Sequence, residues 1–185
     1  MSTRNLAASL SISFSILVLS SCAVTPQTGA GKLPALGTPV GAAEIARWDI
    51  SIPPSGAGLP AGGGTARQGQ QVYDQKCLSC HGPKGAGKPA DALVGGIGTL
   101  ASKTPVRTVG SYWPYATTLF DYVRRAMPIT NPLSLTNDEV YAVTAYVLAL
   151  NGIVGEDAVM NAQSLPQVKM PNRDGFVSDW PPRER

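Results

Sequence analysis

The chain has 185 residues, 15 Lys and Arg against 12 Asp and Glu, and a formal charge of +3 without any basic run, so composition argues against a nucleic-acid surface. Its three cysteines and single histidine leave little for a metal site of protein ligands alone. No paired carboxylates, activated nucleophile or phosphate loop has a spacing that rises above chance.

The N-terminus reads as an export signal over residues 1–21. Arg4 precedes an apolar run from Leu6 to Leu19, too short to span a bilayer but the length of a signal-peptide core. The run ends at Leu19-Ser20-Ser21-Cys22, which resembles the lipobox of bacterial lipoproteins and makes Cys22 the expected lipid-attachment site. The alternative is an ordinary secretory signal with an incidental cysteine. Either way the mature protein lies on the periplasmic side of a bacterial membrane, anchored by lipid or soluble. Residues 22–64 are rich in Gly and Pro, ending in Gly62-Gly63-Gly64, and read as a flexible leader.

One domain follows, over residues 65–154, and its expected elements are all helical. Thr65-Ala66-Arg67-Gln68 has the form of a capping box and opens a helix leading to Cys77, with Gly69, Val72, Tyr73 and Lys76 on one face. That helix runs into Cys77-Leu78-Ser79-Cys80-His81. This spacing attaches one haem c covalently: two thiols on one turn add to the vinyl groups and the adjacent imidazole binds the iron. Half of a zinc site and a redox dithiol are the rival readings. Zinc wants a fourth ligand, which only the distant Cys22 could offer, and a dithiol wants a βαβ context that the flanks lack. Binding of the His81 nitrogen requires its other ring N–H to be held, and a backbone carbonyl is the expected acceptor.

Gly95-Gly96-Ile97-Gly98 reads as a loop enclosing the haem. Tyr112, Trp113 and Tyr115, within Ser111-Tyr112-Trp113-Pro114-Tyr115, concentrate apolar bodies with polar tips and are candidates for contacts with the haem propionates or for core packing. A middle helix runs from Ala116 to Ala126, with Leu119, Tyr122 and Val123 on one side, and Pro128 ends it. Met127 is the candidate sixth ligand of the iron because the following proline forces it out of helical geometry. Met160 and Met170 are the rivals, and the plain alternative is that Met127 only fills the core. Thr136-Asn137-Asp138-Glu139 repeats the capping box before Val140, Val143, Val147 and Leu150, and Asn151-Gly152 stops that helix. Residues 155–185 form an extended tail with Phe176 and Trp180, read either as docking to a partner or as folding back on its own domain.

This order resembles the class I cytochrome c fold, which is all-α. The resemblance implies that the first and last helices cross closely, Gly69 facing Tyr141 or Tyr146; that Met127 stands where the distal methionine does; and that the carbonyl of Pro83 or Pro89 holds the His81 ring. Longer strings, Ile45-Ala46-Arg47-Trp48-Asp49-Ile50, Gly110 to Ala116, Leu119-Phe120-Asp121-Tyr122-Val123 and Met170 to Phe176, are similar to the cytochrome subunit of Sox-type sulfane dehydrogenases and related sulfite dehydrogenases. That implies a one-electron acceptor and donor whose catalytic partner is a molybdenum-containing subunit oxidising a sulfur compound, with a downstream cytochrome or oxidase. The chain departs from that pattern in having one haem motif where such cytochromes often have two. The alternatives are a lipid-anchored general carrier between another dehydrogenase and a terminal oxidase and, further off, a haem enzyme or ligand sensor with an open distal site.

Overall fold

Thr65 and Thr136 open the two helices that frame the molecule. The computed structural model describes residues 36–177, which divide into two units between Val40 and Gly41, and every helix and strand lies in the second unit. The expected signal segment, Cys22 and Trp180 lie outside the described residues. In chain order come α1 (Ala42–Trp48), β1 (Gly63–Thr65), α2 (Ala66–Lys76), α3 (Leu78–His81), a 3-10 turn at Pro83–Gly85, α4 (Ala116–Ala126), α5 (Asn137–Leu150), β2 (Val159–Asn161) and a second 3-10 turn at Leu165–Gln167.

Both capping boxes form as the sequence predicts. The Gln68 N–H donates to the Thr65 hydroxyl at 3.3 Å while the Thr65 N–H donates to Gln68 Oε1 at 2.8 Å. Thr136 and Glu139 repeat this at 3.3 and 2.7 Å. Each reciprocal pair satisfies amide donors that no helical carbonyl can reach, and losing such a cap typically costs about 1 kcal/mol. At the other end of α5, Asn151 folds its side chain back onto the Val147 carbonyl at 2.9 Å.

α2 and α5 cross at Gly69. A side-chain carbon there would overlap the Ala142 carbonyl and press on Tyr146, so only hydrogen lets the two backbones approach this closely. The neighbours are thus Ala142 and Tyr146, not Tyr141. Tyr141 instead meets Phe120 of α4, ring centroids 4.4 Å apart, and Tyr73 meets Tyr146 at 5.3 Å. Tyr73, Phe120, Val140, Tyr141 and Leu148 are wholly buried. α5 is therefore the central element, meeting α2 through Ala142 and Tyr146 and α4 through Tyr141.

The leader expected to be flexible is packed from Ile50 onward. The Ile52 N–H donates to Asp121 Oδ1 at 2.8 Å, the Thr117 hydroxyl to the Pro54 carbonyl at 3.0 Å, and the Tyr141 hydroxyl to the Pro60 carbonyl at 2.8 Å. Local Gly and Pro content could not reveal these partners, all more than 60 positions away. Gly63 and Gly64, read as linker, form β1, which pairs antiparallel with β2. Gly64 is required there because a side-chain carbon would collide with Ala142. This short sheet is an addition to the expected helices, which still carry the fold.

The tail folds back over its own domain as far as it is described. Met160, Leu165, Val168 and Met170 all belong to the buried core. Beyond them, Phe176 meets the edge of Tyr112 at 5.1 Å, and Asn172 Nδ2 donates to the Tyr112 carbonyl at 2.8 Å.

Candidate functional site

α2 delivers the chain to Cys77, whose N–H still bonds the Tyr73 carbonyl at 2.9 Å, and the turn of α3 carries Cys80 and His81, whose N–H groups both reach the Cys77 carbonyl, at 3.1 and 2.9 Å. The buried Tyr73 hydroxyl donates to the Gly82 carbonyl at 2.7 Å and so pins the exit from this turn to α2. Cys77 and Cys80 are both half-buried and are not joined in a disulfide. Burial pushes the Cys77 thiol up to about 11, with repulsion from Cys80 adding to it, so Cys77 is protonated at neutral pH.

His81 Nδ1 lies 3.0 Å from the Asp91 carbonyl oxygen. A carbonyl only accepts, so Nδ1 must carry the proton, leaving the Nε2 lone pair available to a metal. The acceptor is a backbone carbonyl, but it belongs to Asp91 and not to Pro83 or Pro89. The loop after the motif curls back, with the Gly87 N–H on the His81 carbonyl at 2.8 Å and the Ala90 N–H on the Cys80 carbonyl at 2.9 Å, and this return presents Asp91 to the ring.

Met127 caps the C-terminus of α4. Its N–H makes the last helical bond, to the Val123 carbonyl at 3.1 Å, and its backbone is extended at φ −121° and ψ 146°. It is half-buried and outside the packed core, whereas the rivals Met160 and Met170 are core residues. On the segments beside it, Tyr122, Ile129 and Leu133 are large apolar side chains left 45, 71 and 62% exposed.

The three aromatic candidates do not converge on one point. Tyr112 lies under the Arg107 guanidinium and against Phe176, Trp113 packs edge-on to Tyr122 at 5.7 Å, and Tyr115 sits 4.6 Å below Arg173. Among the described residues their polar tips have no hydrogen-bond partner. A cleft of about 340 Å³ is lined by Leu100, Pro105, Arg107, Tyr112, Asn172 and Phe176. Neither His81 nor Met127 lines it. The glycine loop is tied down by the Gly95 N–H on Asn151 Oδ1 at 3.3 Å and the Thr108 hydroxyl on the Gly95 carbonyl at 2.6 Å.

This donor set suits a haem. Among the described residues no three His, Cys, Asp or Glu side chains converge on a point, as a bare metal ion would require. A haem supplies four nitrogens itself and asks the chain only for axial donors, vinyl-reactive thiols and apolar cover. His81 Nε2, Met127, the two thiols and the uncovered apolar groups beside Met127 are of those kinds. One contributor is not evident from the sequence: the Asp91 carbonyl leaves no signal, since any backbone carbonyl could serve.

Burial also raises the phenol pKa values of Tyr73, Tyr141 and Tyr146 above the ordinary 10.0. The fold favours the neutral phenols, so this stabilisation is complete below 10.0 and is lost as pH rises through the raised values. The denaturant midpoint should fall above pH 10.0, in step with phenolate absorbance. A midpoint that stayed level while phenolate appeared would show that these rings ionise without opening the core.

Residues 64–147 match the family model described as cytochrome c oxidase, cbb3-type, subunit III. No curated protein matches the chain. Among solved structures, a chain in the crystal structure of the sulfane dehydrogenase SoxCD from Paracoccus pantotrophus superposes with a TM-score of 0.74 at 40% identity, covering 79% of this chain and 72% of that one.

Proposed function

Since this chain belongs to the class I c-type cytochromes, whose cofactor is haem and whose role is electron transfer, we propose that it carries one covalently bound haem c and serves as the electron-transfer subunit of a molybdenum-dependent sulfane or sulfite dehydrogenase. The observation that carries the partner assignment is the 40% identity to a chain of SoxCD, sustained over 79% of this chain. Catalysis on the sulfur compound belongs to the molybdenum subunit, and a downstream cytochrome or oxidase takes the electrons onward. The apolar run from Leu6 to Leu19 supports export to the periplasm, and Cys22 is the proposed lipid anchor. No described helix is long and apolar enough to cross a membrane.

Cys77 and Cys80 would hold the haem through thioethers, each S–H adding across one vinyl group. His81 offers Nε2 to the iron while its Nδ1–H stays on the Asp91 carbonyl, which fixes both the tautomer and the ring plane. Met127 would offer its thioether as the second protein ligand of the iron. When bound, the haem supplies a one-electron ferric/ferrous couple. A soft thioether from Met127 would favour the ferrous state and raise the potential. Tyr112, Trp113 and Tyr115 remain the proposed acceptor-seeking residues for the propionates.

Denaturing-gel haem staining and intact mass test the attachment. The native chain should keep its haem stain after denaturation and gain the mass of one haem. The Cys77→Ser/Cys80→Ser double variant should lose both. Covalent haem surviving in that variant, or two haems per chain, would contradict the assignment.

A further inference from the structure

Asp121 is the only charged side chain among the described residues that is buried, 8% exposed, and it lies on the helix that ends in Met127. Its Oδ1 accepts the Ile52 N–H at 2.8 Å and the Arg125 Nε–H at 3.0 Å, and its Oδ2 pairs with the same guanidinium. Arg125 is one turn further along α4 and two residues before Met127. Two more bonds tie this helix to the same arm of chain: the Arg124 guanidinium donates to the Ile50 carbonyl at 3.3 Å, and the Thr117 hydroxyl to the Pro54 carbonyl at 3.0 Å.

The end of α4 needs such bracing. Its final carbonyls have no helical partners, Pro128 has no N–H to continue the ladder, and the cap is an extended methionine where a glycine would close the turn. A neutral thioether is a weak ligand, and fraying of the last turn competes directly with its retention. We propose that Asp121 is a positioning residue for Met127: by gathering the Ile50–Pro54 arm and Arg125 onto one carboxylate, it locks the last turn of α4 and holds the thioether against displacement. This rests on the reading of Met127 as an iron ligand.

Imidazole titration of the ferric, haem-loaded protein tests it, with the sulfur-to-iron charge-transfer band and the unfolding midpoint followed together. Asp121→Asn keeps an acceptor for the Ile52 N–H but breaks the ionic pair, and it should bind imidazole about tenfold more tightly than the native protein, the scale of one lost charged hydrogen bond. Arg125→Gln should do the same, while Arg125→Lys, which keeps the charge, should stay near native. Tyr141→Phe removes the hydroxyl bond to Pro60; it should lower the unfolding midpoint and leave the imidazole affinity alone.

Native imidazole affinity in Asp121→Asn, with the band lost in Met127→Ala, would overturn the positioning role and leave the ligand intact. An equal rise in Tyr141→Phe would likewise overturn it, since the effect would then follow global stability. A band that persists in Met127→Ala overturns the ligand assignment itself. Should Asp121→Asn fail to fold, the contrast between Arg125→Gln and Arg125→Lys decides, and equal affinities there reject the proposal.

Discussion

Leucine in place of Gly69 should drive α2 and α5 apart and lower the unfolding free energy by about 3 kcal/mol, the upper end of what overpacking costs. The upper end applies because the obstacle is the Ala142 backbone carbonyl, which cannot rotate aside as a side chain can, with Tyr146 closing the other flank. Moving α5 also disturbs the tilted contact of Tyr146 with Tyr73, whose hydroxyl pins Gly82 just beyond the Cys77–His81 motif. Denaturant unfolding should therefore show a lower midpoint at an unchanged slope, together with a lower yield of haem-loaded protein. Gly69→Ala should show the same effects in weaker form. A leucine variant with the native midpoint would place the close crossing elsewhere.

Met127→Ala should leave the haem attached but convert it from six-coordinate low-spin to a state open to added ligands, with loss of the sulfur-to-iron band. Alanine also withdraws the ligand that favours ferrous iron. If the thioether favours that state by about a hundredfold, its loss lowers the one-electron potential by roughly 120 mV, from ~59 mV per tenfold. Met160 and Met170 offer no rescue, since both sit in the core 5 and 3% exposed. Redox titration and visible spectra of the variant check this, and an unaltered spectrum would require another sixth ligand.

What could be read from the sequence was what is local or covalent. The two capping boxes, the end of α4 before Pro128 and the stop at Asn151-Gly152 are set by neighbours within a turn or two, and all appear where expected. The haem motif is legible because attachment chemistry fixes its spacing. The Ile50–Gly62 arm was not, because its order comes from Asp121, Thr117 and Tyr141, distant in sequence, while its own Gly and Pro content imitates a linker. The strands Gly63–Thr65 and Val159–Asn161 are too short for an alternating pattern, and glycine in the first removes the β-branched signal. The crossing partner of Gly69 differs from one of the two expected tyrosines by a helix face: Tyr141 turns toward Phe120, and Ala142 and Tyr146 face α2. At the candidate site, spacing singles out Cys77, Cys80 and His81 as candidates, but the carbonyl that orients His81 depends on how the loop returns.

Electron transfer from a sulfur-oxidising partner is tested most directly by mixing the purified haem-loaded protein with its neighbouring molybdenum subunit and sulfite or thiosulfate while recording the visible spectrum. Substrate-dependent reduction of a low-spin haem is the expected result, with none when the molybdenum subunit is left out. An intact low-spin haem that stays ferric with both sulfur substrates would contradict this role and point to a general carrier fed by another donor.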